Sequence, residues 1–457
     1  MTKQEAAIKY ITENYLDHNR LRHDVVSDKM QIRVDLEEAK GERLEVKGKE
    51  YWKELSKHDI NSIVCHAAQE YDQNITSREV LTALQSDLIP DVHPLREYIQ
   101  SLKPYTNDQP DWIDMVAQQV HVKTNNNEDT LIQQPKQQIT NNIPLANTAS
   151  GEENNTTPSC TTLHNTTPSA DALWRTCFKK WFVAMVASWM NDEVVNHQVL
   201  VLIGKQGIYK TTWLEHLIPP HLRAYACKLA NSTDLNKDER LRIAEFGLIS
   251  LDEIDSMNNR ELNQLKSVIT ATDVNERAAY AYTKERRVRL ASFCASGNRR
   301  DFLTDITGNR RWLPFEVESI QNPFFTTLPY ELMYAQAWAL AQDPTFSYWF
   351  DLDEIAVLEE HNQHFRDESN EEQLLPILFD VPAEGRGEFM TTAQISERLV
   401  TYGNIKKPMA LSRLGMVLGA AGYRSTRPKI GGRLIRGWLV YQRNTSELDS
   451  LKRLLKE

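Results

Sequence analysis

One strand–loop–helix pattern constrains the fold more than any other feature of this 457-residue sequence. Five apolar residues, Val199–Ile203, run directly into the segment GKQGIYKTT, and the segment WLEHL follows. This is close to the phosphate-binding pattern G-x-x-x-x-G-K-[ST]. Glycines let such a loop wrap around phosphates with its N–H groups pointing inward, and the next helix offers its N-terminus to negative charge.

Residues of this loop have distinct expected parts in nucleotide binding. Lys210 should reach the β- and γ-phosphates, and the Thr211 hydroxyl should hold Mg²⁺. Tyr209 stands where glycine is usual, and Gly207 is expected to supply the flexibility instead. The alternative is an ordinary strand–turn–helix with an incidental lysine. The predicted nucleotide contacts are Gly204, Gly207, Lys210, Thr211 and Thr212.

A second apolar strand, FGLISL, ends in two acidic residues, Asp252 and Glu253. A strand buried in a parallel sheet is apolar throughout, and its C-terminal end faces the ligand crevice. Asp252 is therefore predicted to hold Mg²⁺ and Glu253 to polarise the attacking water. The simpler alternative is an acidic pair that opens a loop.

Two later segments extend the pattern. The apolar segment LASFCAS is followed by Gly297 and Asn298, and an amide at a strand end can sense the γ-phosphate and position water. The segment TGNRR then puts Arg310 and Arg311 before the next strand, and arginine suits charge on a transferring phosphoryl group. In isolation, Gly-Asn is a turn signal and paired arginines are a common surface feature. Their place after the first two motifs favours the catalytic interpretation.

Charge is distributed unevenly along a chain whose net charge is −10. Residues 1–120 carry 15 basic and 22 acidic residues, a net of −7, whereas residues 385–443 carry 11 basic and two acidic residues, a net of +9. We predict two helices there, near residues 391–399 and 409–419, and a hairpin with Gly431 and Gly432 at its tip. A helix with a basic wing docks on duplex DNA, and a protein-binding module is the alternative. The predicted DNA contacts are Arg424, Arg427, Lys429, Arg433 and Arg436.

The remaining composition excludes several classes of protein. The five cysteines lie far apart with no C-x-x-C spacing, which argues against a zinc knuckle and a disulfide framework. No run approaches 18 apolar residues, and the N-terminus lacks the apolar core of a signal peptide. We expect a cytoplasmic protein without a membrane partner.

The order of the motifs resembles the ATPase core of the virulence-associated protein E family, which is similar to superfamily 3 helicases of viruses and mobile elements in the AAA+ class. The segments HDINSIV, KKWFVAMVASW and SGNRRDFLTDITGNRRWLP add to this likeness. It implies an α/β P-loop core of the AAA+ type with a parallel sheet, between an N-terminal α+β domain and a C-terminal winged helix. The expected regions are the N-terminal domain (1–122), a disordered Asn/Thr-rich linker (123–169), the ATPase core (170–325), an acidic helical connector (326–384) and the winged helix (385–457).

The resemblance also implies an assembly, a hexameric ring with ATP and Mg²⁺ bound between subunits. Arg311 or Arg310 would act on the neighbour's nucleotide. A hairpin before the Asn298 strand would enter the central channel, where Lys284, Arg286 and Arg287 would track single-stranded DNA. A solvated basic turn is the alternative for these three residues.

Three functions are consistent with these features. The first is an ATP-driven DNA helicase or replication initiator encoded by a bacterium, phage or other mobile element. The second is an ATP switch that binds DNA without unwinding it. The third is a defence or signalling ATPase whose C-terminal unit binds protein.

Overall fold

The computed structural model describes residues 1–35, 50–123, 168–229, 237–276, 285–303, 309–383, 387–444 and 447–448. The expected Asn/Thr-rich linker lies outside these ranges apart from its two ends. Among the described helices, none has the length and apolar character needed to cross a membrane.

The N-terminal part combines a small sheet with helices. Its sheet has the order β3-β2-β1-β4. A capping box of Thr76 and Glu79 starts α3. The elements are α1 (Lys3–Ile11), a π-helical turn (Thr12–Leu16), β1 (Leu21–Asp24), β2 (Lys29–Asp35), β3 (Glu50–Glu54), α2 (Lys57–Tyr71), α3 (Ser77–Leu84), β4 (Asp91–Val92), α4 (Pro94–Ser101), α5 (Trp112–Ala117) and β5 (Val120–Val122).

A six-stranded sheet with the order β5-β12-β6-β11-β8-β7 forms the centre of the molecule. Its strands are parallel except β5, which pairs antiparallel with β12. The predicted parallel sheet is thereby confirmed. The elements are α6 (Ala170–Met190), β6 (Val199–Ile203), α7 (Lys210–His216), β7 (Ala226–Leu229), α8 (Lys237–Glu245), β8 (Leu248–Leu251), α9 (Asn259–Thr270), β9 (Asp273–Glu276), β10 (Glu285–Val288), β11 (Ser292–Gly297) and β12 (Trp312–Ile320), with 3₁₀ turns at Pro220–Tyr225, Ile254–Ser256 and Asn309–Arg311.

Helix α6 is buried on nearly every side. Trp174, Trp181 and Trp189 are each fully buried, and their indole N–H groups donate to backbone carbonyls. The helix is enclosed because one side meets the sheet and the other meets α4, α5 and α10. Residues 94–122, which the sequence groups with the N-terminal domain, thus contribute to the core of the central sheet.

The C-terminal part begins with three helices and ends in a small sheet. The predicted helices and the hairpin are present, and Gly431 and Gly432 at the hairpin tip both have positive φ. The elements are α10 (Tyr330–Gln342), α11 (Leu352–Gln363), α12 (Asn370–Leu378), β13 (Phe379–Asp380), β14 (Glu388–Met390), α13 (Thr392–Gly403), α14 (Leu411–Ala420), β15 (Arg424–Thr426), β16 (Lys429–Ile430), β17 (Arg433–Leu434) and β18 (Gly437–Gln442).

Candidate functional site

The C-terminal ends of β6, β11 and β8 meet at one edge of the central sheet because the three strands are parallel neighbours. The predicted phosphate-binding segment (residues 204–212), called the phosphate loop below, leaves β6 at this edge. A Cβ at Gly204 would lie 2.7 Å from the Val317 carbonyl oxygen, so only glycine fits there without a shift of the backbone. The Gly204 N–H donates to the Gly297 carbonyl at 3.1 Å, which ties the loop to β11.

Two residues of the loop have left-handed backbone conformations, not one. Gly207 has φ +86°, as the sequence suggested, but Tyr209 also has φ +68°. Gly207 therefore does not replace the usual glycine, and Tyr209 adopts the left-handed conformation itself at a cost of about 1–3 kcal/mol. Its hydroxyl accepts a hydrogen bond from Asn322 Nδ2 at 3.2 Å.

The Lys210 ammonium points back into the loop. It is 7% exposed, and its Nζ donates to the carbonyls of Gly204 at 2.8 Å and Lys205 at 2.7 Å. The Asn298 Oδ1 lies 3.4 Å from the same Nζ. Burial lowers the pKa of Lys210. The Lys210 ammonium already lies at the loop, so it can exchange these carbonyl oxygens for phosphate oxygens without a large movement.

Three oxygen-bearing side chains converge beside the loop. The Thr211 and Ser296 hydroxyls lie 2.8 Å apart, and they donate to Asp252 Oδ1 at 3.2 and 2.8 Å. Lys228 Nζ pairs with Asp252 Oδ2 at 2.7 Å. Burial alone would raise the pKa of Asp252, but these hydrogen bonds and the Lys228 charge outweigh it and lower that pKa.

This set of oxygens fits Mg²⁺, which takes oxygen ligands and is usually bound by one or two carboxylates together with substrate phosphates. Within the described ranges, no group of three or more His, Cys, Asp or Glu residues forms a metal site of its own.

Two further acidic residues follow Asp252. Glu253 is exposed with φ +52°, an uncommon conformation for a residue other than glycine. Asp255 accepts hydrogen bonds from the N–H groups of Asn298 at 3.1 Å and Arg299 at 3.2 Å. Asp255 thereby fixes the end of β11, from which the Asn298 side chain reaches Lys210.

The structure does not bring Arg310 and Arg311 to this edge. Both precede β12, whose first residue, Trp312, pairs with Val199 at the start of β6. The loop follows the other end of β6, and five residues span roughly 16 Å at about 3.3 Å each. Arg310 is exposed and Arg311 half-buried.

The predicted DNA-binding residues fall in two places. The antiparallel pair β9–β10 forms the predicted hairpin, but Lys284 and the Arg286 side chain lie outside the described part. Arg287 forms ion pairs with Asp28 at 2.6 Å and Glu245 at 3.7 Å. In the C-terminal unit, the basic residues on and beside the hairpin are all exposed: Arg424, Arg427, Lys429, Arg433 and Arg436.

Sequence reasoning missed three residues of the site: Lys228, Asp255 and Ser296. Ser296 lies in the apolar segment that precedes Asn298. Its hydroxyl at the end of a predicted strand could have indicated a residue of the site. Lys228 lies in β7, a four-residue strand without a clear alternation of apolar residues. Only the order of the sheet places β7 beside β8.

These features define a mixed α/β protein with a parallel central sheet and a polar site at the carboxyl ends of its strands. Residues 150–371 match the model of the virulence-associated protein E-like domain. This stretch of the chain is therefore similar to that family of domains.

No curated protein matches the chain. Among solved structures, the apo structure of the NrS-1 C-terminal region aligns over 96% of this chain and 100% of its own, with 11% identity and a TM-score of 0.44. An A-form apo structure of the same region covers 93% of this chain and 98% of its own, with 12% identity and a TM-score of 0.42.

Proposed function

We propose that the chain is a Mg²⁺-dependent ATPase with a P-loop core of the AAA+ type, acting on DNA in the replication of a mobile genetic element. The observation that carries the proposal is the convergence of Lys210, Thr211, Asp252 and Asn298 at the ends of three neighbouring parallel strands. These residues come from separate segments of the sequence. A lysine with no part in phosphate binding would not explain why they lie together.

Each side chain then has a defined role. Lys210 binds the β- and γ-phosphates, for which its present carbonyl partners stand in. Thr211 and Asp252 would hold Mg²⁺, which neutralises charge on the phosphates when it is bound. Glu253, exposed beside them, accepts a proton from the attacking water. Asn298 lies against Lys210 and positions that water next to the terminal phosphate.

The position of the arginines supports a site shared between subunits. Arg310 and Arg311 lie at the opposite edge of the sheet from the phosphate loop of their own chain. They would therefore serve a neighbouring subunit's nucleotide, as in a hexameric ring. The C-terminal unit, a winged helix in this proposal, adds an exposed basic hairpin that suits duplex DNA, while the channel hairpin would take single-stranded DNA.

ATP turnover by the full chain, with and without single-stranded DNA, tests this proposal. Stimulation of turnover, together with separation of a forked duplex, is the expected result for a helicase or replication initiator. Stimulated turnover without strand separation would instead support a DNA-binding switch. ATP turnover that does not change when DNA is added would support the defence or signalling alternative. The absence of ATP turnover in the presence of Mg²⁺ would contradict the ATPase assignment.

A further inference from the structure

An aromatic cluster of Tyr209, His216 and Phe324 lies along α7, beside the phosphate loop. The Phe324 ring meets the Tyr209 ring edge to face with centroids 6.4 Å apart, and it meets the His216 ring in the same way at 5.5 Å. Phe324 is 68% exposed and Tyr209 is 38% exposed. The cluster therefore presents aromatic surface to solvent next to the place where phosphates would bind.

Specific hydrogen bonds hold these rings in place. Asn322 Nδ2 donates to the Tyr209 hydroxyl at 3.2 Å, and Asn322 Oδ1 accepts from the Phe324 N–H at 3.0 Å, so one side chain fixes two members. His216 Nδ1 donates to the Thr212 carbonyl at 2.7 Å. Tyr209 is held in a left-handed conformation that glycine would adopt freely. Strain of this kind persists where the surrounding structure enforces it, often at ligand sites.

The order of the sheet shows which end of a nucleotide would meet the cluster. Asp252 and Asn298 follow β8 and β11, which lie on one side of β6, whereas Phe324 follows β12 on the other side. The proposed site for the terminal phosphate is on the β11 side. A nucleotide bound along the loop must then extend its base toward β12.

We infer that the aromatic cluster is a stacking platform for the purine base of the bound nucleotide, with Phe324 and Tyr209 as its contact residues. The inference rests on the proposed function, since it needs phosphates on the loop. Stacking of one base on aromatic side chains changes affinity by about 5- to 100-fold. Stacking contacts ring faces and reads no hydrogen-bonding edge, so the platform favours purines over pyrimidines and discriminates little between adenine and guanine.

The test compares the dissociation constants of ATP and inorganic tripolyphosphate for the full chain, each with Mg²⁺. Phe324→Leu keeps an apolar side chain but removes the ring, and it should weaken ATP binding by about 5- to 100-fold while leaving tripolyphosphate binding unchanged. Phe324→Tyr keeps the ring face and should bind ATP like the wild type. The matched control is Phe325→Leu, because Phe325 is 88% exposed and makes no ring contact with the described residues; it should change neither constant.

Wild-type ATP affinity in Phe324→Leu would overturn the inference, and so would an equal loss for tripolyphosphate or an equal loss in Phe325→Leu. If Phe324→Leu does not fold, Phe324→Tyr and the ratio of ATP affinity to CTP affinity in the wild type remain as tests. An affinity ratio near one would overturn the inference. Failure of the wild type to bind either ATP or tripolyphosphate would instead contradict the proposed function.

Discussion

Lys228 Nζ lies 2.7 Å from Asp252 Oδ2, at the carboxylate that we propose as a ligand of Mg²⁺. The pairing raises the pKa of Lys228, chiefly through its hydrogen bond to Asp252. A carboxylate that is already paired with an ammonium attracts a second cation less strongly, so Lys228 is expected to weaken the binding of Mg²⁺ at Asp252. Lys228 and the proposed Mg²⁺ would therefore compete for the charge of Asp252.

Lys228→Met should lower the Mg²⁺ concentration needed for half-maximal ATP turnover, because it removes the competing cation. Partly exposed ion pairs contribute about 0.2–1 kcal/mol, so a decrease of up to about fivefold is expected. Lys228→Arg keeps the charge and should stay close to the wild type. An unchanged or higher Mg²⁺ requirement in Lys228→Met would show that Lys228 assists the site instead.

At the scale of elements, α4 depends on a histidine cap. His93 Nδ1 accepts a hydrogen bond from the Arg96 N–H at 3.3 Å, and Arg96 Nε donates to the Trp189 carbonyl at 2.8 Å. The cap therefore supports a helix that contacts the buried α6. Burial, helped by the nearby Arg96 charge, lowers the pKa of His93 to about 4.

His93→Asn should flatten the pH dependence of the Tm. The folded-state pKa lies below the ordinary 6.5, so the unfolded chain binds more protons between about pH 6.5 and pH 4. Stability from this cap is thus complete above that window and is lost as pH falls through it. Asparagine still caps the helix but does not titrate there. Melting curves at pH 7 and 4.5 check this, with the exposed His58→Asn as control; equal losses in Tm for wild type and His93→Asn would refute it.

The C-terminal hairpin should bind duplex DNA through backbone phosphates. Log affinity falls with log salt by about 0.9 per neutralised phosphate. Replacing Arg433 and Arg436 by Ala should flatten this slope by roughly one to two units and change sequence preference little. The control, Arg78→Ala with Lys103→Ala, removes the same charge from two exposed positions in the N-terminal part. Salt titrations of the full chain that give equal slopes for both double variants would favour a protein-binding hairpin.

Elements with a strong local signal were predictable from the sequence. Continuous apolar runs predicted β6 and β8, and the pair Gly431-Gly432 predicted the hairpin tip. Both patterns depend only on residues that are neighbours in the sequence. The burial of α6 was not predictable, since its second face is covered by α4 and α5 from a distant part of the chain. The Lys228–Asp252 pair likewise depends on which strands are neighbours. The periodicity of apolar residues does not show which strands are neighbours in the sheet.

At the scale of the whole molecule, the two ends of β6 separate the phosphate loop from Arg310 and Arg311. In the proposed ring, one chain would carry both halves of a composite site but could not join them by itself. Because of this separation, the proposed ATPase activity would depend on assembly of several subunits.

Rings that mix Arg311→Ala subunits with Lys210→Ala subunits should recover part of the ATP turnover that each variant lacks. One interface in such a ring pairs an intact Lys210 with an intact Arg311, and an arginine finger contributes about 10³–10⁵ in turnover. Native mass spectrometry can establish that both subunits are present. If these mixed rings stay inactive, Arg311 does not act on a neighbour.

Parallel assays of nucleotide binding and ATP turnover by Glu253→Gln and Lys210→Ala separate phosphate binding from activation of water at this site. Lys210→Ala should weaken nucleotide binding and abolish turnover, because it removes a direct phosphate partner. Glu253→Gln should bind ATP about as tightly as the wild type and hydrolyse almost none, because only activation of water is lost. Wild-type turnover in Glu253→Gln, or unchanged binding in Lys210→Ala, would contradict the assignment of this site.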